Sequence, residues 1–217
     1  MPSDTAFIKP LYVDDTLVVL DKPNRLLAVP GRGADKQDCL SARVQAAYPD
    51  ALVVHRLDMA TSGLMVMARG PTAQRVLSKA FAAREVSKRY LAVVAGRLEA
   101  PEEEWGVIDL PILADWPNRP LRRIDHQTGK PSVTRWRVLA HDTTGPSTRL
   151  ELEPVTGRSH QLRVHLRELG HPILGDALYA PPEVQAQASR LLLHARSLRF
   201  VHPVTGATLA FECSAPF

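Results

Sequence analysis

Short apolar runs stopped by turn-forming residues recur along the 217-residue sequence, and they limit the fold more than any other feature. Leu17-Val18-Val19-Leu20 meets Asp21-Lys22-Pro23-Asn24, and Leu26-Leu27-Ala28-Val29 meets Pro30-Gly31-Arg32-Gly33. Ala51-Leu52-Val53-Val54 and Leu64-Met65-Val66-Met67-Ala68 enclose a polar insert from His55 to Gly63. Runs this short, bounded by Gly, Pro, Asp and Asn, read as buried strands joined by turns. Further strands are expected over 87–95, closed by Gly96, and over 133–139, 148–153 and 191–194. A last hairpin pairs 198–201 with 208–213 around Pro203-Val204-Thr205-Gly206.

Helical spacing is sparser. Asp38 is placed to cap a helix that carries Leu40, Val44, Ala47 and Tyr48 on one face and stops at Pro49. Gly70-Pro71 opens a second, with Ala73, Val76, Leu77, Ala80 and Phe81 in phase. A third is expected over 158–169, with Leu162, Leu166 and Leu169 inward and Gly170 as its C-cap, and a short fourth over 182–190. The pattern predicts one α+β domain over 1–217, with a mixed, mostly antiparallel sheet flanked by helices and loops.

Composition narrows the chemistry. A hydrophobic fraction of 45% supports a sizeable core, and a net charge of +4 carried mainly on arginine favours an anionic partner. Cys39 and Cys213 stand alone, without metal-binding or disulfide spacing. His160 and His165 are five apart, which does not align two imidazoles on a helix face, so no metal is expected. Gly31 and Gly33 lack the Lys-Ser/Thr ending of a phosphate loop, so no nucleotide cofactor is expected. Met1-Pro2-Ser3-Asp4 does not begin a signal sequence, and no apolar run approaches membrane-spanning length, which predicts a cytoplasmic protein with no membrane partner.

Functional groups crowd into the insert, where Asp58 reads either as a turn-forming carboxylate beside Thr61 and Ser62 or as a nucleophile or base. Tyr90, at the polar end of the 87–95 strand, reads first as half-buried packing with its hydroxyl satisfied, and only second as a catalytic group. From Pro101 to Lys130 the chain becomes rich in proline and arginine, as in Trp116-Pro117-Asn118-Arg119-Pro120-Leu121-Arg122-Arg123. An exposed arm of this kind, over 113–130, suits RNA, because guanidinium groups meet phosphates and rings stack on bases; an ordinary irregular loop is the other reading.

His55-Arg56-Leu57-Asp58 with Thr61-Ser62-Gly63, then Gly157-Arg158-Ser159-His160-Gln161-Leu162-Arg163-Val164-His165, then Gly170-His171-Pro172-Ile173-Leu174-Gly175-Asp176, resembles the RluA family of pseudouridine synthases. The similarity runs over almost the whole chain. It implies the pseudouridine synthase catalytic fold, no cofactor, and RNA as substrate: a large-subunit rRNA hairpin loop and the anticodon stem-loop of tRNAs. It further implies that Asp58 is the catalytic aspartate, Arg158 its basic partner and Tyr90 the ring packed on the target base. Arg56 then enters the RNA where that base has left, with His55, Thr61 and Leu162 as further substrate contacts. Other family members carry an N-terminal S4-like domain, for which this sequence has no room, so recognition falls to the catalytic domain and to Arg119, Arg122 and Arg123 of the arm. A monomer is the default expectation. Two competing classes remain: an RNA-binding module without catalysis, and a hydrolase built on Ser62, which lacks a nucleophile elbow.

Overall fold

A computed structural model of the chain describes residues 8–143 and 145–217, so the reading of Met1-Pro2-Ser3-Asp4 lies outside the described residues. The first part of the chain forms β1 (Tyr12–Val13), β2 (Leu17–Lys22), α1 (Leu40–Ala47), β3 (Ala51–Val53), β4 (Ser62–Arg69) and α2 (Pro71–Ala83). Next come β5 (Ser87–Ala95), β6 (Gly106–Asp109), β7 (Ile112–Ala114), β8 (Arg122–Ile124), β9 (Val133–His141) and β10 (Ser147–Pro154). The chain ends with α3 (Gln161–Glu168), α4 (Pro182–Gln185), β11 (Leu193–Val201) and β12 (Thr208–Glu212). The fold is α+β, and every strand ladder with a described register is antiparallel.

These elements form two compact units, one of Met1–Ser87 with Ala195–Ala215 and one of Lys88–His194 with Pro216–Phe217. In the first, β1, β2, β4 and β11 follow one another, with β3 also on β4 and β12 on β11. Alternation explains the packing: Leu17, Val19, Leu64, Val66 and Ala68 join Leu198 and Phe200 against Ala73 and Leu77 of α2. Val18, Leu20, Met65 and Met67, on the opposite parity, are also buried, so these strands read as continuous apolar runs. Gly63 (φ 112) lies so close to β11 that a Cβ there would sit 2.6 Å from the Ala195 nitrogen.

Asp14 ties the edge of this unit together. Its carboxylate accepts from Tyr12 Oη (2.7 Å), from Thr16 N–H (2.7 Å) and Oγ1 (2.8 Å) and from Leu17 N–H (2.9 Å). His202 Nε2 lies 3.0 Å away, while its Nδ1 accepts from Val204 and Thr205 N–H, which assigns the ring proton to Nε2. Burial acts to raise the Asp14 pKa but is outweighed by the bonds from Tyr12, Thr16 and His202, which hold it well below the usual carboxylate range. A folded pKa below the unfolded one means that the carboxylate stabilises the fold fully above the ordinary Asp pKa and loses that effect on acidification. Urea midpoints of wild type and Asp14→Asn should therefore differ at pH 7, with the gap narrowing below about pH 4. A gap that stays constant down to pH 3 would overturn this account.

In the second unit the strand order is β5-β10-β9-β6. Trp105 gathers the guanidinium groups of Arg89, Arg135 and Arg137 at 4.7, 5.1 and 4.6 Å. Glu153 pairs with Arg89 and Arg135, and Glu151 and Glu104 pair with Arg137. Three positive and three negative charges balance, so this cluster braces the strands and offers RNA no net attraction.

Several elements differ from the sequence expectation. β2 continues through Asp21 and Lys22, because Lys22 turns inward and is fully buried. Cys39, whose sulfur accepts from Ala42 N–H, caps α1, while Asp38 pairs with Arg43 at 2.7 Å. Val76 and Leu169 are solvent-facing (43% and 36% exposed). The two late strands expected at 191–194 and 198–201 are one, β11, and the helix expected over 182–190 is a single turn. The 101–130 segment is not wholly irregular, since β6 pairs with β9 and β7 with β8.

Candidate active site

The insert between β3 and β4 is held from within the first unit on both sides of Asp58. Leu57 is buried as an anchor, leaving Arg56 exposed and the Asp58 side chain half-exposed. The Asp58 carbonyl accepts from Thr61 N–H (3.1 Å). The Met59 carbonyl accepts from Lys22 Nζ (3.2 Å), which also donates to the Pro23 and Leu26 carbonyls (both 2.8 Å). A buried ammonium is costly without partners, and these carbonyl oxygens supply acceptors for its N–H groups. His55 stacks on Phe81 of α2 (4.3 Å, 18°), and its Nε2 accepts from Val66 N–H. Thr61 and Ser62 are buried at the start of β4. The carboxylate therefore rides on a backbone with little freedom, which is what precise placement against a substrate requires.

The second unit holds the other candidates. Tyr90 lies half-exposed on β5, opposite Leu152 of β10. Arg158 is on a tight turn that precedes α3, because His160 adopts the left-handed conformation (φ 59) and delays the helix to Gln161. This corrects the helix expected from 158. Gln161 sets the turn: its Oε1 accepts from Arg158 N–H (3.0 Å) and Thr156 Oγ1 (2.7 Å), and its Nε2 donates to the Val133 carbonyl and Thr134 Oγ1. The Arg158 side chain is exposed, with Nε donating to the Pro131 carbonyl (3.3 Å), and Leu162 is buried on α3.

On the arm, Arg119 stacks on Trp116 (4.3 Å), a residue that is 62% exposed. Arg122 donates from Nη1 to the Leu121 carbonyl, and Arg123 pairs with Asp125 at 2.9 Å. His165 turns both nitrogens to the protein, Nδ1 to Thr134 Oγ1 and Nε2 to the Leu110 carbonyl, and burial lowers its pKa. Arg56, Asp58, His55 and Thr61 thus share one loop of the first unit. Arg158 and Leu162 share the turn and α3 of the second, while Arg119, Arg122 and Arg123 lie on or beside the β7–β8 hairpin. Lys22 and Gln161, which hold these backbones, carry no sequence signal beyond a polar residue next to an apolar one.

The sequence model of the RNA pseudouridylate synthase family matches residues 16–168, and the chain belongs to that family. It is an RNA pseudouridine synthase, an enzyme acting on RNA. Among individual proteins it is similar to the dual-specificity RNA pseudouridine synthase RluA of Yersinia pestis, 50% identical over 95% of this chain and 98% of the relative. RluA of Escherichia coli K12 is 46% identical over 100% of this chain and 97% of its own. Human RNA pseudouridylate synthase domain containing 1 superposes with a TM-score of 0.81 at 28% identity, over 100% of this chain and 87% of that one. Among the described residues no helix is long and apolar enough to cross a membrane.

Proposed function

We propose that the enzyme isomerises uridines in a large-subunit rRNA hairpin loop and in the anticodon stem-loop of tRNAs, with Asp58 as its catalytic carboxylate. Dual specificity is what the names of the RluA relatives assert. The observation that carries the Asp58 assignment is its bracing: Thr61 N–H, Lys22 Nζ and buried Leu57 hold the chain around it.

The reaction breaks the bond from uracil N1 to ribose C1′, forms one from C5 to the same carbon, and moves the C5 proton off while N1 gains one. Nothing is oxidised, and the balance needs no cofactor. The target nucleotide leaves its stack to be reached. Arg56, exposed and two residues from Asp58, fills the gap with a planar cation. Tyr90 supplies a flat surface for the flipped base, and Arg158 the cationic group that the family pattern pairs with the aspartate. His55, Thr61 and Leu162 shape the contacts around these groups. Arg119, Arg122 and Arg123 grip phosphates from the arm. The enzyme works as a monomer in the cytoplasm.

Tritium release from C5-labelled uridine in tRNA and rRNA transcripts tests the reading. Release from both RNAs is expected. Release from one alone would remove the dual specificity, and tight binding without release would restore the reading of a binding module.

A further inference from the structure

We propose that Tyr179 is a positioning residue that ties the RNA-contacting arm to the turn carrying Arg158; the inference rests on the roles given above to Arg158 and the arm. Tyr179 is 5% exposed and belongs to the stretch that follows Gly175-Asp176, for which the reaction as described has no use. Its hydroxyl accepts from the backbone N–H of Arg122 on β8 (2.9 Å) and lies 2.6 Å from His160 Nδ1. While the oxygen takes the amide proton it can give its own to Nδ1, in the tautomer that carries the imidazole proton on Nε2. One hydroxyl thus joins the arm to the residue two positions after Arg158.

Both ends of that link are held. The Tyr179 ring meets the His160 ring edge-on (5.6 Å, 81°), with the guanidinium groups of Arg163 and Arg167 over it at 5.0 and 5.5 Å. Its N–H donates to Asp176 Oδ1, the same oxygen that takes Arg163 Nη2. Among the described residues His160 is one of three non-glycine positions with positive φ, a conformation that costs free energy unless its surroundings impose it. Gln161 fixes the turn from one side through Arg158 N–H, and Tyr179 fixes it from the other through His160. A phosphate seated on the arm therefore acts on a body that includes the Arg158 backbone, so recognition and the placement of a reacting group are mechanically one event.

Tyr179→Phe removes the hydroxyl and keeps the ring. Its Arg122 amide should exchange with solvent on the order of tenfold faster than in wild type. In tritium release, kcat should fall on the order of tenfold or more, with KM within about twofold. Arg158→Lys should cost less in the Tyr179→Phe background than alone, a non-additivity that loss of packing by itself would not produce. His160→Ala, which leaves the bond from the Arg122 amide to the Tyr179 hydroxyl in place, should reproduce the fall in kcat and the non-additivity with Arg158→Lys, which covers the case of Tyr179→Phe failing to fold. His160→Asn, which tolerates left-handed backbone and keeps an acceptor, should restore most of the rate. Wild-type turnover in Tyr179→Phe, or unchanged exchange at Arg122, would overturn the tie while leaving the synthase reading intact. A wild-type protein inactive on every RNA would overturn that reading, and the positioning role with it.

Discussion

Replacing Asp58 with Asn is expected to lower pseudouridine formation by on the order of 10⁴-fold or more, with RNA affinity within about threefold of wild type. The amide has the size of the carboxylate, so the change removes a charge and little else. The loop has backbone supports that the change leaves in place: the Asp58 and Met59 carbonyls take their bonds from Thr61 N–H and Lys22 Nζ, and Leu57 is anchored by burial. Arg56 remains to fill the place of the flipped base, and the arm arginines to meet phosphate. Tritium release, filter binding and a thermal melt of the same preparation check the three parts. A variant that melts normally and still turns over would remove Asp58 from the chemistry.

The largest effect on stability is expected at Asp176. Arg163 and Asp176 are 4% and 1% exposed, and two bonds join them, Nε to Oδ2 at 2.8 Å and Nη2 to Oδ1 at 2.6 Å. Oδ1 also accepts from the N–H groups of Leu178 and Tyr179. Asp176→Ala leaves a buried guanidinium without its counter-charge, a change that typically costs about 3–5 kcal/mol. Urea denaturation should show that loss, and replacing Arg163 with Met in the same chain should recover much of it, since the penalty belongs to the orphaned charge. A loss below about 1 kcal/mol would mean that water reaches Arg163.

How far the sequence could be read follows from which forces are local. β5 was legible because its apolar run is long and Gly96 stops it, and α2 because Gly70-Pro71 announces its start. The start of α3 was not, because a histidine in left-handed backbone is imposed by partners far along the chain, among them Tyr179. Lys22 resembled a turn residue; only the carbonyls around it show why it is inside. Arg196 and Ser197 break the apolar pattern of β11 and hid its continuity. Asp58 stood out through the polar insert that holds it, whereas the residues that brace it came into view only with the fold.

The discontinuity of the first unit has a consequence for how the protein is made. Gly63 packs on Ala195, and Thr16 and Asp14 bond to His202, yet Ala195–Ala215 leave the ribosome only after the whole of Lys88–His194. The strands that flank Asp58 are therefore synthesised first and completed last. The nascent chain must keep β2 and β4, with their apolar faces and an open edge, out of wrong pairings while the intervening unit forms, a period in which chaperones have the most to protect.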